Sequence, residues 1–235
     1  MSKLYRWILI AVVVVVVVVI AGIAYTRQFA NTVTVSQSHT APGVATASSS
    51  PIPVAGTSIF QVVPAQTTAM YSVYENLIIQ NKPNNDAVGT THSVTGSFRI
   101  KTGDAPLVAA MNITVDLRTL QTDSSMRDRY VQRNALETDT YPNATFVSVS
   151  TQGLPTSYSD GQNVHFQLIG NLTMHGKTNK ETFDVQGKVA GNTVTGTATS
   201  TIFMTDFGIQ PPNLATIAIS QNKVLITINF TATQG

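Results

Sequence analysis

The stretch FQLIGNLTMHG, residues 166–176, decides the fold. Phe166, Leu168, Gly170, Leu172 and Met174 fall on one side of an extended chain, while Gln167, Asn171, Thr173 and His175 fall on the other. Successive side chains of a strand point to opposite faces, so alternation of this length marks a half-buried β-strand. The pattern repeats outward in both directions. In MNITVDLRTL (111–120), Ile113, Val115 and Leu117 oppose Asn112, Thr114, Asp116 and Arg118. In KVLITINFTA (223–232), Val224, Ile226, Ile228 and Phe230 share a face. Weaker versions predict strands over 71–79, 93–100, 145–150, 181–189 and 193–205. Turn residues separate them, including Asp160 with Gly161 and Gly191 with Asn192, pairs that accept the positive φ of hairpin turns. About eight antiparallel strands predict an all-β barrel or sandwich, and closure into a barrel is favoured because it removes exposed edges.

Upstream of this region the composition changes twice. Residues 7–24, WILIAVVVVVVVVIAGIA, are uncharged and almost wholly apolar, close to the ~20 residues a helix needs to cross a membrane. Lys3 and Arg6 precede the run and Arg27 follows it. The run is longer than the ~7–15 apolar residues of a signal peptide, and no small-x-small cleavage site precedes Arg27, which favours an uncleaved anchor over a cleaved signal. The excess of positive charge before the run places the N-terminus in the cytoplasm and the rest of the chain outside the membrane; after signal cleavage the chain would instead be secreted. Residues 28–58 are rich in Ser, Thr, Ala and Pro and carry no charge, the composition of a flexible linker. Three segments result: an anchor at 1–27, a linker at 28–58 and a β domain at 59–235.

Several functions are excluded or unsupported by residue type. From Gln28 onward eleven basic residues face twelve acidic ones, a net of −1, which offers no footprint for nucleic acid. The chain has no cysteine, so disulfides, thiolate metal sites and cysteine nucleophiles are absent. His165 and His175 stand ten residues apart with no ligand-like spacing, so no metal is expected. The DFG at 206–208 lacks every companion motif of a kinase and reads as a strand ending in glycine. With no G-x-S-x-G elbow and no Ser/His/acid grouping, neither catalysis nor a cofactor is expected.

One stretch stands apart from this low-charge background. TDSSMRDRYVQRNALETDTYPNATF, residues 122–146, holds seven of the chain's twenty-six charged residues. It is also the only segment suited to a short helix, over 124–137. Two readings are open. Arg127, Arg129 and Arg133, with Asp128, could meet an anionic head group, since a guanidinium presents a planar fork of donors. Alternatively the charges pin a helical connection against the barrel, which the matching acids favour. Tyr141 and Pro142 then return the chain to extended geometry.

This stretch, with GNLTMHGKTNKETFDV (170–185) and TSTIFMTDFGIQPP (199–212), resembles the YceI-like, polyisoprenoid-binding family of bacterial extracytoplasmic proteins. The carriers are a strand ending in Thr119 and Leu120, the Arg127 and Asp128 pair, the entry YPNATF (141–146), the GNLTMHG hairpin and the FGI at 207–209. The resemblance implies an extended lipocalin-like antiparallel barrel of about eight strands whose apolar cavity holds an isoprenoid-type lipid, with no enzymatic activity. Two departures stand out: Tyr130 occupies a position where many members carry histidine, and Ala135 with Leu136 replaces a frequent pair of phenylalanines. Candidate ligand-binding residues are therefore Arg127, Asp128 and Tyr130, together with Phe98, Ile113, Val115, Phe146, Phe166, Leu168, Phe183, Phe203 and Phe230 at strand parity. An eight-stranded barrel can equally be filled by its own side chains, in which case the protein would be an envelope interaction domain.

Overall fold

The computed structural model describes residues 56–235. The apolar run at 7–24 and the linker up to residue 55 lie outside the described residues. Among those described, no helix is long and apolar enough to cross a membrane. The first strand, β1 (Ser58–Val62), begins one residue before the expected domain boundary.

The strands follow the period-two segments. After β1 come β2 (Thr68–Leu77), β3 (Lys82–Thr91), β4 (Val94–Lys101), β5 (Gly103–Asp104) and β6 (Leu107–Asp116). Helix α1 (Ser125–Tyr130) precedes β7 (Asn143–Gln152), β8 (Ser157–Tyr158), β9 (Val164–Met174), β10 (Lys177–Ala190), β11 (Thr193–Phe203) and β12 (Ala218–Gln234). In the order β1, β4, β6, β7, β9, β10, β11, β12 neighbouring strands pair antiparallel, and β12 returns to β1. An eight-stranded closed barrel results, lipocalin-like in architecture.

Strands β2 and β3 continue β1 and β4 beyond short interruptions and form a hairpin whose β2 edge pairs with β12. Because β6 ends opposite Val94, β3 projects past it without a second barrel neighbour. The connection 117–142 fills that gap. Thr90 and Gln121 exchange backbone hydrogen bonds of 2.8 and 3.0 Å, and the Thr91 and Thr119 hydroxyls lie 2.6 Å apart. Within the connection, the Ser124 hydroxyl caps α1 by accepting from the Arg127 N–H, the capping that serine favours. The helix runs on as one wide turn, Val131–Ala135, closed by Leu136 N–H donating to the Val131 carbonyl. Helix α1 and this wide turn thus fall within the expected 124–137.

Three details differ from expectation. Strand β3, KPNNDAVGTT, has no apolar alternation to read: Asn85, Ala87, Gly89 and Thr91 turn inward. Asp160 and Gly161 lie in the longer loop between β8 and β9, where the Gly161 N–H reaches the Val189 carbonyl, whereas Gly191 and Asn192 do form a two-residue turn between β10 and β11. The other tight hairpin is His175 and Gly176, with φ of 50° and 72°, a pattern matched to strand twist. Gly208 ends a helical turn, Met204–Phe207, rather than a strand, and Phe207 beside it is fully buried.

Candidate functional site

The inward faces of the strands enclose a cavity of ≈ 580 Å³. Its lining runs the length of the barrel, from Lys101, Thr102 and Tyr158 at the β4–β6 turn to Gln80, Met126, Leu214 and Ile217 near α1. The barrel interior is therefore only partly filled by its own side chains.

Glycines and rings keep it open. A Cβ on Gly89 would fall 2.2 Å from the Tyr71 ring, one on Gly170 would fall 2.3 Å from Phe146, and one on Gly196 would fall 2.7 Å from Phe230. Each ring lies against the backbone of a neighbouring strand, where glycine leaves room for it. An aromatic face so placed leaves the lumen clear of its bulk. At the β4–β6 end, Phe60 stacks on Phe98 at a centroid separation of 6.0 Å, and Phe230 meets Phe98 edge to face at 6.5 Å. There the Tyr158 hydroxyl donates to the Val189 carbonyl at 2.8 Å and accepts from its N–H at 2.7 Å, fastening the β7–β9 loop to β10.

The polar groups of the lumen gather near α1. Glu75 on β2 is buried, 6% exposed, and its Oε1 accepts from Arg127 Nη2 at 2.6 Å and from Asn85 Nδ2 at 3.1 Å. Arg127 also pairs with Asp123. Burial alone would lower the Arg127 pKa, but the hydrogen bonds it donates to Glu75 and Asp123 outweigh that and hold the guanidinium above its ordinary value. Burial pushes the Tyr71 hydroxyl up to about 12, against the opposing pull of Arg127. Tyr71 is thus a neutral donor at the cavity wall.

Of the twelve sequence-derived candidates, Phe98, Ile113, Val115, Arg127, Tyr130, Phe146, Phe166, Leu168, Phe183 and Phe230 line the cavity. Asp128 does not. Its carboxylate accepts from the Thr122 N–H and hydroxyl at 2.8 and 2.7 Å and ties the start of the helical connection. Phe203 is a correction: it points outward and is 47% exposed, because Ala198, Ser200 and Ile202 hold the inward register of β11. Three consecutive apolar residues, Ile202, Phe203 and Met204, hid that register in the sequence. Sequence reasoning missed Glu75 and Tyr71, which sit on a predicted strand without any charge pattern to single them out. His165 is exposed on β9, and His175 lies at the β9–β10 turn with its ring 4.9 Å from that of Tyr141. Among the described residues no group of three His, Asp or Glu side chains could hold a metal.

A family model for the YceI-like domain matches residues 60–232. The chain belongs to the YceI-like family. This YceI-like domain is similar in fold to BcnA of Burkholderia cenocepacia, at 22% identity and a TM-score of 0.55, over 73% of this chain and 99% of that one. It is also similar to a polyisoprenoid binding domain from Saccharophagus degradans implicated in plant cell wall breakdown, at 14% identity and a TM-score of 0.58, over 76% and 99% of the two chains. In both of those proteins the matched fold accounts for nearly the whole solved chain, so there it stands without a further domain. No curated protein matches the chain.

Proposed function

We propose that this YceI-like protein is a membrane-tethered, extracytoplasmic lipid binder that holds a polyisoprenoid or prenyl-quinone in its barrel, without catalysing a reaction. The observation that carries the reading is the cavity: ≈ 580 Å³ of space walled almost throughout by aliphatic and aromatic side chains. Its volume lies within the roughly 300–1,000 Å³ of sites that enclose small-molecule ligands. The polyisoprenoid binding of the similarly folded Saccharophagus domain supports an isoprenoid chain as the occupant. The apolar run at 7–24 supports the tether and its orientation.

The head group fits best as a neutral hydrogen-bond acceptor. Arg127 is already matched by Glu75 and Asp123, so a diphosphate placed there would meet excess negative charge. A quinone carbonyl or an alcohol oxygen can accept from Tyr71 at no such cost. Mass spectrometry of organic extracts of the purified protein should recover a prenyl lipid. Extracts that contain none, from protein that also fails to take up all-trans-retinol as an isoprenoid probe, would overturn the reading. A prenyl diphosphate that displaces retinol better than a prenyl alcohol of equal length would overturn the neutral head group.

A further inference from the structure

We infer that the α1 end of the barrel is a docking surface for a lipid bilayer, through which cargo enters and leaves. The inference rests on the lipid-binding reading and adds where the membrane meets the domain. Around the cavity mouth, Ile78 and Ile79 in the β2–β3 turn, Ile217 and Ile219 before and within β12, and Met126 on α1 are all exposed, Ile79 and Met126 to about 70%. The Ile78 N–H donates to the Ile217 carbonyl at 2.9 Å, which binds the two loops into one rim. On the adjoining outer wall Phe203, Leu225, Tyr74 and Val88 are exposed as well, with Leu225 and Val88 flanking Ser72 in register.

Among the described residues nine of the twelve exposed large hydrophobic side chains lie at this end. Such concentration, at the rim of an apolar lumen, is the mark of an interaction site rather than ordinary surface. The opposite end differs in kind: Lys101, Thr102, Asp104 and Lys188 surround it. A cargo with negligible solubility in water gains by crossing from bilayer to lumen along a continuous apolar path. A protein partner would also cover the rim, but it would not explain why the rim encircles the opening of an apolar cavity.

The chain that precedes the domain is compatible with either end meeting the membrane. β1 starts at Ser58, opposite Ile100 at the polar end, and the charge-free stretch 28–57 separates it from Arg27. Thirty extended residues reach about 100 Å. The twenty residues of β1 and β2 together, Ser58 to Leu77, span at most about 66 Å before strand tilt shortens them. The linker can therefore pass the whole barrel, and the distribution of apolar side chains selects the end. Around the rim Lys82 and Lys223 share the surface with Asp86 and Asp206, and the exposed Arg129 and Arg133 of the helical connection with Asp123, Glu137 and Asp139, so insertion of apolar groups, rather than attraction to anionic lipid, supplies the contact.

The test uses residues 56–235, which contain no tryptophan since the chain's one tryptophan is Trp7. Ile79→Trp and, at the opposite end, Ile59→Trp each introduce a single reporter at an exposed isoleucine. With vesicles of phosphatidylcholine brominated in the acyl chains, Ile79→Trp emission should shift to the blue and be quenched, and Ile59→Trp should be unaffected. Adding Ile219→Asp, at a rim residue outside the cavity lining, should weaken partition of the Ile79→Trp domain at least tenfold, leave retinol uptake from ethanol intact, and slow uptake from vesicles. Equal responses of both reporters, or none from either in a domain that still loads retinol, would overturn the docking surface while sparing the lipid-binding reading. Quenching of Ile79→Trp in a domain that never loads retinol would support the surface and sink the cargo.

Discussion

Glu75 and Arg127 illustrate how a single pair can be both structural and functional in position. Both side chains are largely buried, at 6% and 17% exposure, and their 2.6 Å contact ties α1 to β2 across the cavity mouth. Removing one partner of such a pair leaves the other charge uncompensated, a loss of about 3–5 kcal/mol, while replacing both by apolar groups can be nearly neutral. Arg127→Met should therefore lower stability by about 3 kcal/mol in urea titration, and Arg127→Met with Glu75→Leu should recover most of it. A double variant no better than the single one would show that the charges do more than balance each other. Arg127 was legible in the sequence as part of a charge cluster, but its partner was not. Glu75 lies fifty-two residues away, and only the course of β2 brings it to α1. Phe203 shows the opposite failure: its chemistry was plain and its direction was not.

At the scale of elements, the strands with one apolar face were legible and the hairpin that extends them was not. The period-two runs correspond to β6, β9, β10, β11 and β12, whose inward residues face the lumen. β3 escapes that logic. With Pro83, Asp86 and a positive φ at Asn84, it carries features that blunt an exposed edge rather than build a core. The interior glycines were visible only as weak points in strand patterns, yet Gly89, Gly170 and Gly196 each accommodate a ring. Gly170 makes the sharpest case, since a Cβ there would also lie 2.5 Å from the Val147 carbonyl oxygen. Phe146, packed edge-on against Phe183 at 5.1 Å, would have to swing toward the lumen. Gly170→Ala should cost about 1–3 kcal/mol of stability and weaken retinol binding, measured by thermal melts with and without the probe. Unchanged retinol affinity would show that the Phe146 ring does not guard the open space.

Across the whole molecule, the open interior is the property that most separates a binding barrel from a packed one. Periodicity could not distinguish them, because side chains that line a void and side chains that fill a core occupy the same strand positions. The two alternatives nonetheless respond with opposite signs to filling. Ala198 on β11 is buried, lines the cavity and stands between Val185 and Ile228 in register. Ala198→Leu adds three carbons to that space, and burying them should stabilise the lipid-free domain by about 1–2 kcal/mol. A ligand present at a hundred times its Kd should stabilise the wild-type domain by about 2.7 kcal/mol, an increment the filled barrel would lose. The expected outcome is therefore a crossing: the variant melts higher than wild type without retinol and lower than wild type with it. If retinol leaves the wild-type melt unchanged while Ala198→Leu still raises it, the space is a packing defect, and the protein acts through its surface instead.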